Sequence, residues 1–156
     1  MIFYAHRGNT KGPNPSEENN PAYLKQAIDQ GFHVEVDLWF QDKHFWFGHD
    51  GPDYRVKYSW MTKNVHSCIF HCKNIAALAK LRESDFGGFH FFWHQNDDYT
   101  MTNEGFVWVY PGRPFPKNYR YIACEPDLDV FPGDGYDVQG ICSDYVYNLR
   151  KQEEEL

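Results

Sequence analysis

His33-Val34-Glu35-Val36-Asp37-Leu38-Trp39-Phe40 sets His33, Glu35, Asp37 and Trp39 against Val34, Val36, Leu38 and Phe40 in strict alternation. Residues two apart on a β-strand share a face. The stretch therefore reads as a strand with one apolar face and two carboxylates side by side on the other. Adjacent carboxylates repel, which raises the pKa of one unless a cation lies between them. Oxygen donors of this kind suit a hard divalent cation. Taken alone, Glu35-Val36-Asp37 also fits an exposed edge strand with a polar outer face.

The surroundings point to strand–helix–strand order. Ile2 to Ala5 is a short apolar run closed by His6-Arg7-Gly8, read as a buried strand ending in a loop. Asn9 to Asn20 holds two Pro and a Gly, a loop composition. Pro21 suits a first helical turn, and Leu24, Ala27 and Ile28 recur at helical spacing before Gly31 ends the helix. Beyond the central strand, Phe45–Phe47 is a short extended piece leading into Gly48-His49-Asp50-Gly51. Cys68–Cys72 reads as a strand, Asn74–Arg82 as a helix and Gly88–His94 as a strand. Phe106–Tyr110, Tyr121–Cys124 and Gly140–Cys142 are further strands.

Such an order demands parallel pairing with crossover helices in the first half. The second half is too short for full helices between its strands. A complete (β/α)8 barrel typically takes about 250 residues, and this chain has 156. The expected fold is α/β, a shortened or incomplete TIM-like (β/α) barrel of mostly parallel strands, with helices reduced in the C-terminal half. Even composition makes residues 1–150 one domain, with 151–156 a polar tail.

Composition limits the functions available. Aromatic residues make up 19% of the chain, too many for a disordered segment. The net charge of −7 would repel a nucleic-acid backbone, so no nucleic-acid partner is expected. No apolar run reaches the roughly 18 residues that span a bilayer. The N-terminus lacks the n- and h-regions of a signal peptide, and no basic amphipathic helix is evident. Stable membrane insertion is not expected. Cys68, Cys72, Cys124 and Cys142 form no CxxC pair and are too few for a disulfide scaffold, and Cys68 and Cys72, flanking a short apolar stretch, read as buried free thiols, so the expected compartment is the cytoplasm. Oligomeric state is not legible.

Four strand ends carry chemistry-bearing residues. His6-Arg7 follows the first strand, where parallel α/β folds bind ligands. Histidine transfers protons near neutral pH, and arginine grips phosphate with paired hydrogen bonds. His49-Asp50 follows the extended piece and supplies a second imidazole. His71 and Lys73 share a face, the first a potential metal ligand and the second a point charge for a phosphate oxygen. Each has a plainer reading: a surface turn for His6-Arg7, a turn cap for Asp50, a core histidine for His71, a solvated helix-start residue for Lys73. His94, Trp108 and Glu125 are possible pocket residues at later strands. Asp144 follows the last strand with nothing else to mark it. Glu18 also joins the pocket candidates, although Glu17-Glu18 could simply complement a helix dipole. The strength lies in the arrangement, because a parallel sheet brings the ends HR, ExD, HD and HxK together.

This order of motifs resembles the glycerophosphodiester phosphodiesterase family, within the phosphatidylinositol-phospholipase-C-like phosphodiesterases. The matches are His6-Arg7-Gly8, Glu18-Asn19, Ala27 to Gly31, Glu35-Val36-Asp37 and His49-Asp50. The family's ExK element reads His71-Cys72-Lys73, with His in place of Glu. Gly140-Ile141-Cys142-Ser143-Asp144 is loosely similar to the family's last strand. The resemblance implies a TIM-type barrel with a divalent cation at its mouth. By position, His6 and His49 are the general acid and base, and Glu35 and Asp37 bind metal with His71 in the third ligand's place. Arg7 and Lys73 stabilise phosphate charge.

The expected function is metal-dependent hydrolysis of a small phosphodiester. The cofactor is Mg²⁺, Ca²⁺, Mn²⁺ or Zn²⁺, with Glu-Asp-His better suited to Mn²⁺ or Zn²⁺ than to Ca²⁺. The rivals are a non-catalytic barrel that binds a phosphorylated ligand, and a His-rich metal-binding module.

Overall fold

The computed structural model describes residues 1–83, 88–116, 118–133 and 138–156. The strands are β1 (Ile2–His6), β2 (His33–Gln41), β3 (His44–Phe47), β4 (Tyr54–Val56), β5 (Cys68–Cys72), β6 (His90–Trp93), β7 (Tyr99–Met101), β8 (Val107–Val109), β9 (Tyr121–Cys124) and β10 (Gly140–Ser143). The helices are α1 (Pro21–Asp29), α2 (Tyr58–Lys63), α3 (Ile75–Glu83) and α4 (Val146–Glu154), the last running through most of the stretch expected as a polar tail.

All ten strands belong to one curled, mixed sheet. A parallel run passes β6-β5-β2-β1-β10-β9-β8. β3 and β4 are added antiparallel beyond the end of β1, along the second half of the long β2. β7 lies antiparallel on β8. This corrects the expectation of a shortened TIM-like (β/α) barrel. The protein is a mixed-sheet half-barrel with four short helices among the described residues, not a helix-wrapped barrel of repeating βα units.

The cause lies in the connections. Pro111, Pro114 and Pro116 interrupt the segment between β8 and β9, and Pro126, Pro132 and Gly133 that between β9 and β10. Proline removes a helical hydrogen bond and clashes with the preceding turn. Between β2 and β3, Asp42 and Lys43 both take positive φ, the geometry of a tight hairpin, so the chain turns back instead of crossing over.

The pleat sorts the core into two layers. Val34, Val36 and Leu38 join Phe3, Ala5, Leu24, Ala77 and Leu149 between the sheet and its helices. Inside the curl, Tyr4, Ile69, Phe92, Trp108, Ile122, Cys124 and Cys142 form a second cluster. Glu35 and Asp37, on the strand face opposite Val34 and Val36, stand at the carboxyl end of this inner layer. Gly140 has a packing reason, since a Cβ there would lie 2.8 Å from the Tyr4 ring.

Two sheet edges meet at side chains. Asn103 accepts the Phe91 amide through Oδ1 at 2.7 Å and donates through Nδ2 to the Phe89 carbonyl at 2.7 Å. Thr100 Oγ1 donates to the Trp93 carbonyl at 2.8 Å. These bonds serve the free edge of β6 where no strand pairs with it.

Candidate functional site

Register brings the distant motifs together. His6 of β1 lies beside Glu35 of β2, and Asp37 of β2 beside His71 of β5. A cavity of about 400 Å³ opens at these strand ends, and His6, Arg7, Glu35, Asp37, His49, His71, Lys73, His94 and Trp108 all line it. Glu18 and Glu125 are not on its wall. Glu18 instead braces Arg7, accepting from its guanidinium at 3.1 Å. Glu125 accepts the Gly112 amide.

Glu35, Asp37 and His71 each offer a ligand atom, and these atoms lie within 4.8 Å of one another. His71 is oriented by its other nitrogen. Nε2 lies 3.2 Å from the His94 carbonyl. A carbonyl can only accept, so Nε2 carries the proton. Nδ1 lies 3.2 Å from Asp37 Oδ1, to which it donates when protonated, and 3.8 Å from Glu35 Oε1; holding a metal would require that nitrogen to be deprotonated. A backbone acceptor behind a ligating histidine is a common metal-site arrangement. Phe92 stacks on the His71 ring at 4.9 Å, and Trp108 on Phe92 at 4.4 Å.

Asp37 is the most heavily served group. Arg7 Nε lies 3.2 Å from Oδ2 and Lys73 Nζ 3.5 Å from Oδ1. Asn19 donates through Nδ2 to Oδ2 at 2.9 Å and accepts the Asp37 amide through Oδ1 at 3.0 Å. Burial alone would push the Asp37 carboxyl up. The His71 hydrogen bond and the charges of His71, Lys73 and Arg7 outweigh it and hold the carboxyl far below the usual range. Glu35 moves the opposite way, raised by burial and by repulsion from Asp37. Two neighbouring carboxylates with divergent pKa values are typical of functional sites.

His6 donates through Nδ1 to Asp144 Oδ1 at 2.8 Å, and Asn9 Nδ2 donates to the same oxygen at 2.9 Å. Burial opposes the imidazolium, but the Asp144 hydrogen bond and the Glu35 charge prevail and push His6 up to about 9. His49 stands at the rim with 41% of its side chain exposed, Nδ1 to Asp50 Oδ1 at 2.8 Å. Its loop is tightly folded. Gly48 takes φ of 153°, and a Cβ there would fall 2.0 Å from the Gly51 carbonyl. Trp39 Nε1 donates to the Gly48 carbonyl at 2.6 Å and the Gly48 amide to the Asp37 carbonyl at 3.2 Å. The second imidazole is thereby fastened to β2, the strand that carries Glu35 and Asp37.

Sequence reasoning gave no site role to Asn9, nor to Asn19, which entered only through the Glu18-Asn19 match; both are fully or almost fully buried. Asn19 also holds a positive φ of 62°, a conformation Asn tolerates better than most residues. The Glu18-Asn19 match, in a polar loop before α1, was the available signal. The helix itself is capped by Asn20, whose side chain accepts the Ala22 amide, so Glu18 is left to the site.

Glu35 Oε2 is buried with no hydrogen-bond partner among the described residues. A buried carboxylate oxygen left unpaired is costly, and a cation held between Glu35, Asp37 and His71 would remove that cost. Two oxygen donors and one imidazole nitrogen suit divalent ions such as Mn²⁺, Zn²⁺ and Mg²⁺. The residues present therefore fit a metal ion. Comparison with known family models, curated proteins and solved structures finds no match. Among the described residues no helix is long and apolar enough to cross a membrane.

Proposed function

We propose that the protein is a metal-dependent phosphodiesterase that hydrolyses a small phosphodiester, with the glycerophosphodiester phosphodiesterases as its model of chemistry. One observation carries the reading. A three-residue metal-ligand set, two basic side chains on Asp37 and two imidazoles all face one cavity of about 400 Å³.

Glu35, Asp37 and His71 would hold the ion. When bound, such an ion neutralises a phosphodiester oxygen and favours ionisation of an attacking hydroxyl or water. Arg7 and Lys73 add positive charge on the same side, where negative charge builds up on phosphorus oxygens. His6 and His49 provide the two proton transfers. One takes the proton of the nucleophile, and the other gives a proton to the departing alkoxide. Such steps are each worth about 10²- to 10⁴-fold. Asp144 fixes the His6 tautomer by accepting from Nδ1, so Nε2 is the nitrogen free to exchange a proton. The four cysteines are free and buried, which suits the cytoplasm.

The test is a panel of glycerophosphodiesters and an aryl phosphodiester assayed with Mg²⁺, Ca²⁺, Mn²⁺ and Zn²⁺. Turnover with at least one ion, lost by at least 100-fold in both His6→Ala and His49→Ala, is expected. No turnover with any ion, together with binding of glycerol phosphate, would establish the non-catalytic alternative.

A further inference from the structure

Two of the four cysteines lie side by side, and the other two do not. Cys124 of β9 and Cys142 of β10 are direct partners in the parallel ladder. Both belong to the inner layer, with Tyr4, Ile69 and Trp108. Neighbouring strands run about 4.8 Å apart, inside the roughly 4.4–6.8 Å between Cα atoms that a disulfide bridges. Cys68 and Cys72 are four residues apart on β5, so about 13 Å separates them and no disulfide can join them. They belong to the other layer, between the sheet and its helices.

The members of the inner pair differ in access. Cys124 lines the cavity, with 7% of its surface exposed, and Cys142 is fully buried. Burial, and then the Cys124 thiol beside it, holds the Cys142 thiol well above the usual range. A thiol kept neutral is a poor nucleophile, so Cys142 does not open a reaction with a solute. Cys124 is the thiol that a small molecule entering the cavity meets.

We infer that Cys124 and Cys142 are a redox switch in the wall of the cavity, a dithiol that hydrogen peroxide closes to a disulfide. The Cys124 sulfur attacks one peroxide oxygen. The O–O bond breaks, and the departing hydroxide takes the thiol proton as water. Cys124 is left as a sulfenic acid, oxidised by two electrons while the peroxide is reduced. The Cys142 sulfur then attacks the Cys124 sulfur. An S–S bond forms, the S–O bond breaks, and the second hydroxide leaves with the Cys142 proton as water. Two thiols and one peroxide become one disulfide and two waters, and a reducing dithiol reverses the change by exchange.

The segments that follow the two cysteines carry the effect to His6. The Glu125 amide donates to the Cys142 carbonyl at 2.9 Å, and the Asp144 amide to the Pro126 carbonyl at 3.0 Å. Asp144, two residues beyond Cys142, holds His6 Nδ1 at 2.8 Å. A cross-link that draws the two side chains together therefore shifts the support of the His6–Asp144 pair. The switch stands or falls without reference to phosphodiester hydrolysis.

The test exposes the native protein to hydrogen peroxide, blocks the remaining thiols and maps the peptides by mass spectrometry, with the His6 ring followed by NMR. A Cys124–Cys142 disulfide is expected to form at least about tenfold faster than any oxidation of Cys68 or Cys72, and to open again in dithiothreitol. The His6 signal should move as the disulfide forms and return on reduction. Cys142→Ser should leave a sulfenic acid on Cys124 that dimedone captures, and Cys124→Ser should leave Cys142 unmodified. The mapping of the native protein needs no variant, so it decides the matter even where a serine variant fails to fold. Cys68 or Cys72 reacting while Cys124 and Cys142 stay free, a sulfenic acid on Cys142 in Cys124→Ser, or a disulfide that leaves the His6 signal in place would each overturn the inference.

Discussion

His6 and Asp144 stand 138 positions apart in the chain and share a hydrogen bond of 2.8 Å, Nδ1 donating to Oδ1. The pairing of β1 with β10 makes it possible, because Ala5 lies beside Ser143 in the ladder. The bond does two things at once. It selects a tautomer, and it ties the first strand of the fold to the last.

The Asp144 carboxylate raises His6 to about 9 in the folded protein, against an ordinary value of 6.5. A base whose folded pKa is raised contributes stability that is complete below pH 6.5 and is lost as pH climbs through about 9. Asp144→Asn should therefore cost most near pH 6, on the order of 3 kcal/mol at the limit, and progressively less by pH 9.5. Urea unfolding at the two pH values measures it. NMR titration of His6 should show the midpoint falling toward or below 6.5. A deficit independent of pH would mean that Asp144 acts through Asn9 rather than through the imidazole.

Asn19 predicts a stability effect separable into two causes. Its side chain makes two hydrogen bonds to Asp37, and its backbone holds φ of 62°. Asn19→Gly keeps the conformation and removes the bonds, with an expected loss of about 2 kcal/mol because the acceptor is charged and buried. Asn19→Ala adds the left-handed penalty of about 1 kcal/mol. Denaturant midpoints for the two variants decide it, and an Ala variant no worse than Gly would remove the backbone part. The same variants should bind Mn²⁺ about tenfold or more weakly, as for other residues that orient metal ligands.

Much of this site was legible because it is local. The period-2 pattern of residues 33–40 puts Glu35 and Asp37 on one face whatever the strand is paired with, and His71 and Lys73 obey the same rule. Parallel order was legible from the helices between β1 and β2 and between β5 and β6. The mixed sheet was not. A hairpin at Asp42-Lys43 and an antiparallel β7 depend on a few backbone angles and on edge positions that no hydrophobic period encodes. The partners of Asp144, Asn9 and Asn19 stayed hidden for a related reason. Each is a polar residue in a loop or at a strand end, and only its distant partner shows that it is buried.

Metal preference follows from the donor set. Glu35, Asp37 and His71 offer one imidazole nitrogen among their donors, so Mn²⁺ and Zn²⁺ should bind more tightly than Ca²⁺. His71→Glu should shift the preference toward Ca²⁺ and Mg²⁺. Glu35→Gln and Asp37→Asn should each abolish detectable binding in calorimetry. Zn²⁺ binding that persists undiminished in both carboxylate variants would point to a histidine-based site elsewhere and favour the metal-binding-module alternative.

The edge of β6 offers a last prediction, one about folding rather than chemistry. Asn103 supplies a donor and an acceptor to backbone groups of Phe89 and Phe91, at 2.7 Å each, where a neighbouring strand would otherwise bond. Asn103→Ala removes both while leaving the Asn103 amide bonded to the Phe91 carbonyl at 3.0 Å. The amide of Phe91 lies in an exposed part of the sheet, so its loss should cost only about 1–2 kcal/mol in global stability. Its local effect should be larger in proportion. Hydrogen exchange at Phe91 should speed up about tenfold or more, while the Val36 amide, deep in the sheet, stays as slow as global unfolding allows. An uncovered strand edge also invites pairing with another chain, so the variant should self-associate at concentrations where the native protein does not, as light scattering would read. Unchanged exchange at Phe91 would mean that the β7 side holds the edge through Thr100 alone.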